Sequence, residues 1–331
     1  MFQDPARNIP SAAAAVPVWA MAEPKAGMMN QVTGLAAALG LPFAARPVTA
    51  RGLARRFAPF WPAPAPPGPY PALVLACGRQ GLAAAFAVRR ANGGRTRIVA
   101  TQSPRVPAGW LDLIIPPEHD GLAGPNVFPI LGSPHRITPS LLAEGAQRFA
   151  PLFAALPHPR VAVLIGGDSK AHRLPQGRMA EIVAGLRALR GQGAGLMVTV
   201  SRRTPPEALD FLTLALADDQ GVLLWDGTGE NPYLGMLGLA DAVLVTADST
   251  NMAVEAAATG KPVFIVPLDG GARKFDRFHG ALMARGIARP FEGRLESWRY
   301  FPLDETARAA AEIRRRFPEL GGSIAGEGGA D

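Results

Sequence analysis

The stretch VTADSTNMAVEAAATGKPVFIVPLDG, residues 245–270, predicts a strand, a polar loop, a helix, a turn and a second strand. The loop carries Asp248 and Ser249, and the helical part carries a single carboxylate, Glu255. Ser249 is a suitable helix N-cap, and the positive end of the helix dipole would favour a phosphate there. At helical spacing Asp248, Met252 and Glu255 share one face, so all three can face one ligand. The alternative is that Asp248 and Ser249 only cap the helix, while Glu255 pairs with an arginine.

Ten short apolar runs recur along the chain, each ending in glycine or polar residues and most followed by a helical pattern. The last of the five runs in the first half is NVFPILG, residues 126–132. Continuous apolar strands that alternate with helices indicate parallel sheets covered on both faces. Ten strands are too many for one sheet in 331 residues, so the chain is predicted to form two domains.

The predicted fold is α/β, with two doubly wound Rossmann-like domains that face a central cleft. The break falls in a Pro-rich region around one helix, between Pro134 and Pro159. The predicted parts are an N-terminal domain at 1–140, a linker helix region at 141–159, a C-terminal domain at 160–302, a closing helix at 303–320 and a disordered tail at 321–331. Ligands of such sheets bind at the carboxyl ends of the strands, so polar residues just after each strand are the first site candidates.

The composition limits the class of protein. Hydrophobic residues make up 48% of the chain and charged residues 18%, which is typical of a globular protein. The net charge of +7 suits phosphate-bearing ligands or an anionic membrane surface, whereas no aromatic-interleaved basic stripe indicates nucleic acid. The single cysteine, Cys77, favours a reducing compartment, and no apolar run reaches the roughly 20 residues of a membrane span. We expect a cytoplasmic protein, with a peripheral position at the inner membrane face as an alternative.

The N-terminus leaves a second alternative open. SAAAAVPVWAMAEP, residues 11–24, has the small-residue site of a cleaved signal peptide, but two prolines interrupt its short apolar part.

Three other loops in the second half follow predicted strands and carry polar or glycine residues. Gly166, Gly167 and Asp168 allow close backbone approach to a ligand, although a tight turn would need the same glycines. In the second of these loops, arginines beside a hydroxyl can neutralise a diphosphate. In the third, an aromatic side chain at a turn can stack on a nucleobase. Solvated loops and ordinary packing are the alternatives for these two features. The residues concerned are Ser201, Arg202 and Arg203 in one loop, and Asn231 and Tyr233 in the other.

Candidates in the first half fall in the corresponding loops. His119 is the general-base candidate by residue type, because an imidazole titrates near neutrality, and it is flanked by Glu118 and Asp120. A histidine in a Pro-rich loop is otherwise structural. Further candidates in this half are Lys25, Gly27, Asn30, Gln31, Gly78, Arg79 and His135. Adjacent Glu-His-Asp is poor spacing for metal ligands and the chain has no D-x-D pair, so no metal is expected.

Several of these motifs together resemble a known family. KAGMMNQ, PPEHDG, NVFPILGSPHR, LIGGDS, SRRTP, GENPYLGML and TADSTNMAVEAAATGKPV occur in the order seen in bacterial relatives of the plant "elongated mitochondria" fission-factor family. That family is similar to the GT-B glycosyltransferases, in which the C-terminal domain holds the nucleotide and a helix glutamate binds the ribose. The resemblance implies a GT-B-like fold in which the C-terminal domain binds the nucleotide sugar and Glu255 binds the ribose. It also implies that the N-terminal domain faces the acceptor, so the further candidates of the first half would be acceptor-side residues. Where the family commonly has GHENQ, this chain has Met28 and Met29, which puts a catalytic role of that loop in doubt.

The sequence therefore predicts a metal-independent glycosyltransferase that needs no cofactor and uses a nucleotide-diphosphate sugar as substrate. The acceptor would be an envelope or lipid-linked glycan, and no nucleic-acid partner is expected. A non-catalytic binding or scaffold protein with the same fold is the main alternative. A nucleotide-sugar epimerase, or a nicotinamide-dependent enzyme, is the third. The absence of a G-x-G-x-x-G fingerprint disfavours a nicotinamide cofactor.

Overall fold

A computed structural model describes residues 17–60 and 64–320, together with the backbone of 321–322. The described chain divides into two compact units. One unit contains Ile137–Leu303, and the other combines the residues before Ile137 with the chain from Asp304 onward. The first part of the signal-like stretch and residues 323–331 of the tail predicted at 321–331 lie outside the described residues. The first two residues of that predicted tail, Gly321 and Gly322, are helical.

Strands and helices alternate along the chain. The strands are β1 (Val18–Ala22), β2 (Phe43–Pro47), β3 (Leu73–Cys77), β4 (Arg97–Ala100), β5 (Leu113–Ile114), β6 (Arg160–Ile165), β7 (His172–Arg173), β8 (Gly195–Val200), β9 (Val222–Trp225), β10 (Ala242–Thr246), β11 (Val263–Val266), β12 (Asp269–Gly270) and β13 (Ala288–Pro290). The helices are α1 (Ala26–Leu39), α2 (Gly52–Phe57), α3 (Gly78–Ala91), α4 (Pro139–Phe153), α5 (Gln176–Gly191), α6 (Pro206–Leu216), α7 (Tyr233–Leu239), α8 (Thr250–Ala257), α9 (Arg273–Ala284), α10 (Glu305–Arg316) and α11 (Glu319–Gly322).

The N-terminal unit is built on a parallel sheet of five strands in the order β2-β1-β3-β4-β5. All five side chains of β1 and of β3 are buried, as expected for strands covered on both faces. One face packs against α1 and α10, with Val32, Leu35 and Ile313 in the core. The other face packs against α3, with Leu82 and Val88 in the core. The unit is therefore doubly wound, and the last long helix of the chain completes it.

The C-terminal unit is built on a parallel sheet of six strands in the order β13-β11-β10-β6-β8-β9. The central strands β6, β8 and β10 lie side by side, so their carboxyl ends open onto the same edge. A separate antiparallel pair, β7 with β12, joins the loops that follow β6 and β11. Both units have the predicted α/β class and doubly wound parallel sheets.

Nine of the ten predicted strands are confirmed, and NVFPILG is the exception. This segment makes only two isolated bridges, from Val127 to Ile114 and from Ile130 to Pro117. The N–H groups of Phe128 and Ile130 both donate to the neighbouring segment, to the carbonyls of Ile114 and Pro116. Pro116, which lies between the two bridges on that segment, has no N–H to donate in return, and this explains why no continuous strand forms.

Four strands were missed: β2, β13 and the two-residue strands β7 and β12. The first two lie at sheet edges, where most of their side chains are not buried, so no continuous apolar run marks them in the sequence. No helix among the described residues combines the length and the apolar character needed to cross a bilayer.

Candidate functional site

The loop between β10 and α8 holds a buried carboxylate. The Asp248 side chain is 0% exposed, and its Oδ1 accepts a hydrogen bond of 2.7 Å from the hydroxyl of Thr246. Ser249 is the N-cap of α8, as predicted, because its Oγ accepts from the backbone N–H of Met252 at 3.3 Å. The last strand residue and the cap thereby fix the direction in which α8 leaves the sheet, with its positive end at the edge of the sheet.

The glycine pair after β6 packs against this carboxylate. The Gly167 N–H donates to Asp248 Oδ2 at 3.0 Å, and the Gly166 N–H donates to the Thr246 hydroxyl at 2.7 Å. A Cβ at Gly166 would lie 2.1 Å from Asp248 Oδ1, and one at Gly167 would lie 2.1 Å from the carbonyl oxygen of Arg203. Close contacts with other protein atoms are therefore sufficient to explain why both positions are glycine.

The loop after β8 completes the connection. The Asp168 N–H donates to the carbonyl of Arg203 at 2.9 Å, and the Arg203 guanidinium pairs with Asp248 at 2.7 Å. The hydroxyl of Ser201 accepts from the Arg203 N–H at 3.1 Å, so it stabilises its own loop, in which Arg202 is exposed. Asp168 is half-exposed and accepts from the N–H of Leu174 at 2.9 Å. The ends of three neighbouring strands are thus tied together through Asp248.

A cavity of about 400 Å³ opens at this junction. Its size lies in the range of small-molecule sites. Three cationic side chains line it, Lys170, Arg203 and Lys274, and only one carboxylate does, which is Asp248. The remaining lining residues are Ser169, Ala171, Ser249, Thr250, Asn251 and Phe275. The cavity therefore combines an excess of positive charge with the N-terminus of α8, and both favour an anion.

His172 packs against Phe275, one of the residues that line the cavity. Its ring packs edge-on against that of Phe275, with centroids 4.6 Å apart. Burial lowers the pKa of His172, while the negative charge of Asp248 opposes that shift. A neutral imidazole in this position adds no positive charge to the cavity at neutral pH.

A second polar contact involves the carboxylate of α8. The Tyr233 hydroxyl donates to Glu255 Oε2 at 2.6 Å, and Glu255 is buried. The Asn231 side chain accepts from the Tyr233 N–H at 3.0 Å and so shapes the turn that opens α7. Met252 is half-buried. None of these four predicted donor-site residues is among the residues that line the cavity.

In the N-terminal unit, Gln31 is the centre of a buried polar cluster. Its Oε1 accepts from Cys77 Sγ at 3.3 Å, from the Thr101 hydroxyl at 3.4 Å and from the Gln102 amide at 3.4 Å. Burial raises the pKa of the Cys77 thiol to about 12, so the thiol stays protonated and donates. The structure therefore brings Gln31 to the ends of β3 and β4, where it holds these strand ends to α1.

The other acceptor-side candidates surround this cluster. Lys25 pairs with Glu23 at 2.8 Å just before α1. Gly78 has a φ of +74°, and a Cβ there would meet the terminal methyl of Met28 at 2.2 Å. Gly27 and Asn30 are half-buried in α1, and Arg79 is exposed in α3. A methionine side chain thus covers Gly78 at this strand end.

Glu118, His119 and Asp120 form one short turn after β5. His119 Nε2 lies 3.8 Å from Asp120 Oδ1, and the Ser103 hydroxyl donates to Asp120 Oδ2 at 2.7 Å. Glu118 lies 3.8 Å from the Arg308 guanidinium of α10. The structure therefore brings the predicted base and its neighbouring carboxylate together, although only 8% of the His119 side chain is exposed.

His135 lies apart from that turn, in a loop that packs on α1 and α10. Its backbone N–H donates to the Thr306 hydroxyl at 2.9 Å, and a Cβ at Gly34 would meet its carbonyl at 2.3 Å. Only 4% of His135 is exposed. Its backbone fixes the return of the C-terminal helix to the N-terminal unit.

Sequence reasoning missed the contribution of α9 to the cavity. Lys274 and Phe275 come from its first turn, shortly after β11 and the pair Gly270–Gly271. A glycine pair and basic residues after an apolar run are the same signal that singled out the loop after β6. Within the part of the chain that the structure describes, no group of three or more His, Cys, Asp or Glu side chains is arranged to hold a metal ion.

Comparison with known proteins identifies relatives of the sequence. A family model described as Mitochondrial fission ELM1 matches residues 26–317. The Mitochondrial fission protein ELM1 of Arabidopsis thaliana is 32% identical over 280 residues, covering 77% of this chain and 66% of the plant protein. This chain thus spans just under two thirds of that relative's length. An uncharacterized protein of Rickettsia prowazekii (strain Madrid E) is 26% identical over 288 residues, covering 74% of this chain and 79% of that protein.

Solved structures resemble the fold. UDP-GlcNAc 2-epimerase from Methanocaldococcus jannaschii has a TM-score of 0.56 at 12% identity, covering 90% of this chain and 98% of that one. The same protein in complex with UDP-GlcNAc and UDP has a TM-score of 0.53 at 11% identity, with coverage of 90% and 98%. With the two doubly wound units, these likenesses confirm the predicted GT-B-like fold. At such identities they concern the fold alone.

Proposed function

The chain belongs to the Mitochondrial fission ELM1 family, as its motifs predicted, and we propose that its C-terminal unit binds a nucleotide-diphosphate sugar. The observation that carries the proposal is the cavity at the ends of β6 and β10. Lys170, Arg203 and Lys274 line it beside the N-terminus of α8. Asp248 offsets the charge of Arg203, which leaves the two lysines as a positive surplus. A diphosphate satisfies that surplus better than a neutral ligand does.

The fold supports the same class of ligand. A protein of similar fold was solved with UDP-GlcNAc and UDP bound. In this chain, the hydroxyls of Ser249 and Thr250 at the start of α8 would add hydrogen bonds to the phosphates. Phe275 offers an apolar surface, and Glu255 is the residue that the family resemblance associates with the ribose.

We further propose that the bound sugar is transferred without a metal ion to an envelope or lipid-linked acceptor. The bond between the anomeric carbon and the diphosphate oxygen would break, and an acceptor hydroxyl would bond to that carbon. Lys170, Lys274 and the α8 N-terminus would stabilise the charge that develops on the leaving diphosphate. The acceptor proton would pass to His119 or to Asp120, which lie side by side after β5.

A binding or scaffold role without turnover is the second candidate, and one observation favours it. Met28 packs over Gly78, so an apolar side chain fills a position near the ends of β1 and β3. Gln31 is engaged by three protein donors in the same region. These contacts leave the N-terminal unit with fewer polar side chains to receive an acceptor.

Titration calorimetry with UDP, GDP and UDP-GlcNAc tests the nucleotide site. Lys170→Gln/Lys274→Gln should weaken binding of the tightest of these ligands by at least about 100-fold, because each of the two lost charge-assisted hydrogen bonds contributes about 1.5–3 kcal/mol. Arg187→Gln/Arg285→Gln removes the same charge from exposed positions of the same unit and should leave binding unchanged. Absence of binding, or an equal loss in both double variants, would refute the proposal.

Product analysis then separates turnover from binding. Release of UDP from UDP-GlcNAc in the presence of lipid-linked acceptors should fall at least 100-fold in His119→Asn if the histidine is the base. Binding that persists in the wild-type chain with no UDP released under any acceptor supports the scaffold role. Conversion of UDP-GlcNAc to its epimer without an acceptor would instead identify an epimerase.

A further inference from the structure

The surface around α2 exposes several large apolar side chains. None of the six residues of α2 is buried. Leu53 and Phe57 are 59% and 49% exposed, and they are four residues apart, so they share one side of the helix. Phe60 and Trp110 are 63% and 49% exposed. We call these four side chains the apolar patch.

The patch is held in place by ordered neighbours. The rings of Phe60 and Trp110 contact each other edge-on at 6.2 Å, and Trp110 contacts Phe86 of α3 at 6.0 Å. The start of α2 is fixed because the backbone N–H of Ala50 donates to Gln80 of α3 at 2.6 Å. The apolar side chains are therefore presented by the fold.

Basic residues predominate around the patch. The segment from Pro24 to Leu111 contains no Asp or Glu and eleven Lys or Arg residues. Arg51, Arg55 and Arg56 lie in or beside α2, and all three are exposed. Apolar side chains rimmed by arginines, with a tryptophan at the edge, have the composition of a segment that lies in a membrane interface.

The same charge argues against a second copy of the chain as the occupant. In a symmetric dimer the patch would face its own copy, and the basic rims would repel each other. An anionic bilayer offers hydrocarbon for the apolar side chains and phosphates for the arginines. We propose that the apolar patch and its three arginines dock this protein on a membrane surface rich in anionic lipid. This proposal does not depend on nucleotide binding.

Co-sedimentation with vesicles tests the docking. The full chain should bind vesicles that contain phosphatidylglycerol and should not bind vesicles of phosphatidylcholine alone. Arg55→Gln/Arg56→Gln should weaken binding about 30-fold, since each basic residue near an anionic surface contributes about fivefold. Leu53→Ser/Phe57→Ser should weaken it at least tenfold through the lost apolar burial. Because α2 buries no side chain, these variants should fold normally.

The C-terminal unit supplies matched controls. Arg187→Gln/Arg285→Gln removes two exposed charges, and Leu214→Ser/Phe301→Ser removes two apolar side chains that are 80% and 95% exposed. Neither should change vesicle binding. Equal binding to neutral vesicles, or equal loss in controls and patch variants, would overturn the proposal. Dimers that the patch variants dissociate, with no lipid binding, would overturn it in favour of self-association.

Discussion

Removal of the Asp248 carboxylate should break the contacts that hold together the strand ends at the cavity. The carboxylate is fully buried and accepts from the Gly167 N–H at 3.0 Å and from the Thr246 hydroxyl at 2.7 Å. It also pairs with Arg203 at 2.7 Å. In Asp248→Ala, the Gly167 N–H and the hydroxyl lose an acceptor that water cannot replace without entering the junction. The change therefore affects the loops after β6, β8 and β10 together.

The expected loss follows from the burial of each partner. A buried N–H left without an acceptor costs about 1–3 kcal/mol. Arg203 is 41% exposed, so its guanidinium can return to water, and the lost ion pair adds about 0–1 kcal/mol. We expect Asp248→Ala to lower the free energy of unfolding by about 2–3 kcal/mol. In a unit of this size, that corresponds to a fall in melting temperature of about 5–10 °C.

Thermal unfolding followed by circular dichroism, with and without UDP, measures this effect. Asp168→Ala is the matched control, because Asp168 lies in the neighbouring loop but is 47% exposed. It should cost less than about 1 kcal/mol. Asp248→Asn keeps an acceptor oxygen and should give an intermediate loss. If the melting temperatures of Asp248→Ala and Asp168→Ala are equal and lie within about 2 °C of the wild type, the Asp248 carboxylate does not hold the strand ends and the reasoning is wrong.

Three further changes test other parts of the structure. Gly167→Ala would place a Cβ 2.1 Å from a backbone carbonyl and should cost more than about 3 kcal/mol in chemical unfolding, whereas Gly177→Ala meets nothing within 4 Å and should not destabilise. Tyr233→Phe removes the donor to buried Glu255 and should cost about 1.5–3 kcal/mol in the same assay; no loss would mean that the hydroxyl contributes nothing. Hydrogen bonds from two arginines lower the pKa of Glu312 to about 2, so its stabilisation is present above the unfolded pKa near 4.5 and is lost as pH falls toward 2. Glu312→Gln should therefore flatten the acid limb of the stability curve, and an unchanged slope between pH 5 and pH 2 would contradict this.

Most of the fold could be predicted because buried parallel strands appear in the sequence as continuous apolar runs. Strands such as Val18–Ala22 and Ala242–Thr246 are buried at every position, so their sequences are continuous and recognisable. The edge strand Phe43–Pro47 has no buried position and carries no such signal. Residues 126–132 have the apolar pattern of a strand but form only isolated bridges, because Pro116 on the neighbouring segment cannot donate the hydrogen bond that would join them.

The site could be predicted only in part, because spacing along the chain does not say which side of a loop faces a ligand. Asp248 and Ser249 were found because both follow a strand, and both line the cavity. Gly166 and Gly167 were found by the same rule, yet their backbone N–H groups donate to Thr246 and Asp248. Only the folded structure separates a residue that builds the loop from one that lines the cavity.

The same distinction explains why no phosphate-binding fingerprint is found in this sequence. Fingerprint loops hold phosphates with consecutive backbone N–H groups, which a short Gly-rich motif encodes. Here the N–H groups of Gly166, Gly167 and Asp168 after β6 donate to protein atoms, so phosphate recognition in the proposed site falls to side chains and to the N-terminus of α8. Lys170, in the loop after β6, and Lys274, in the first turn of α9, are more than 100 residues apart in the chain, and both line the cavity beside the paired strands β7 and β12. A site assembled from separate loops leaves no local motif, and its signature is the charge of the cavity itself.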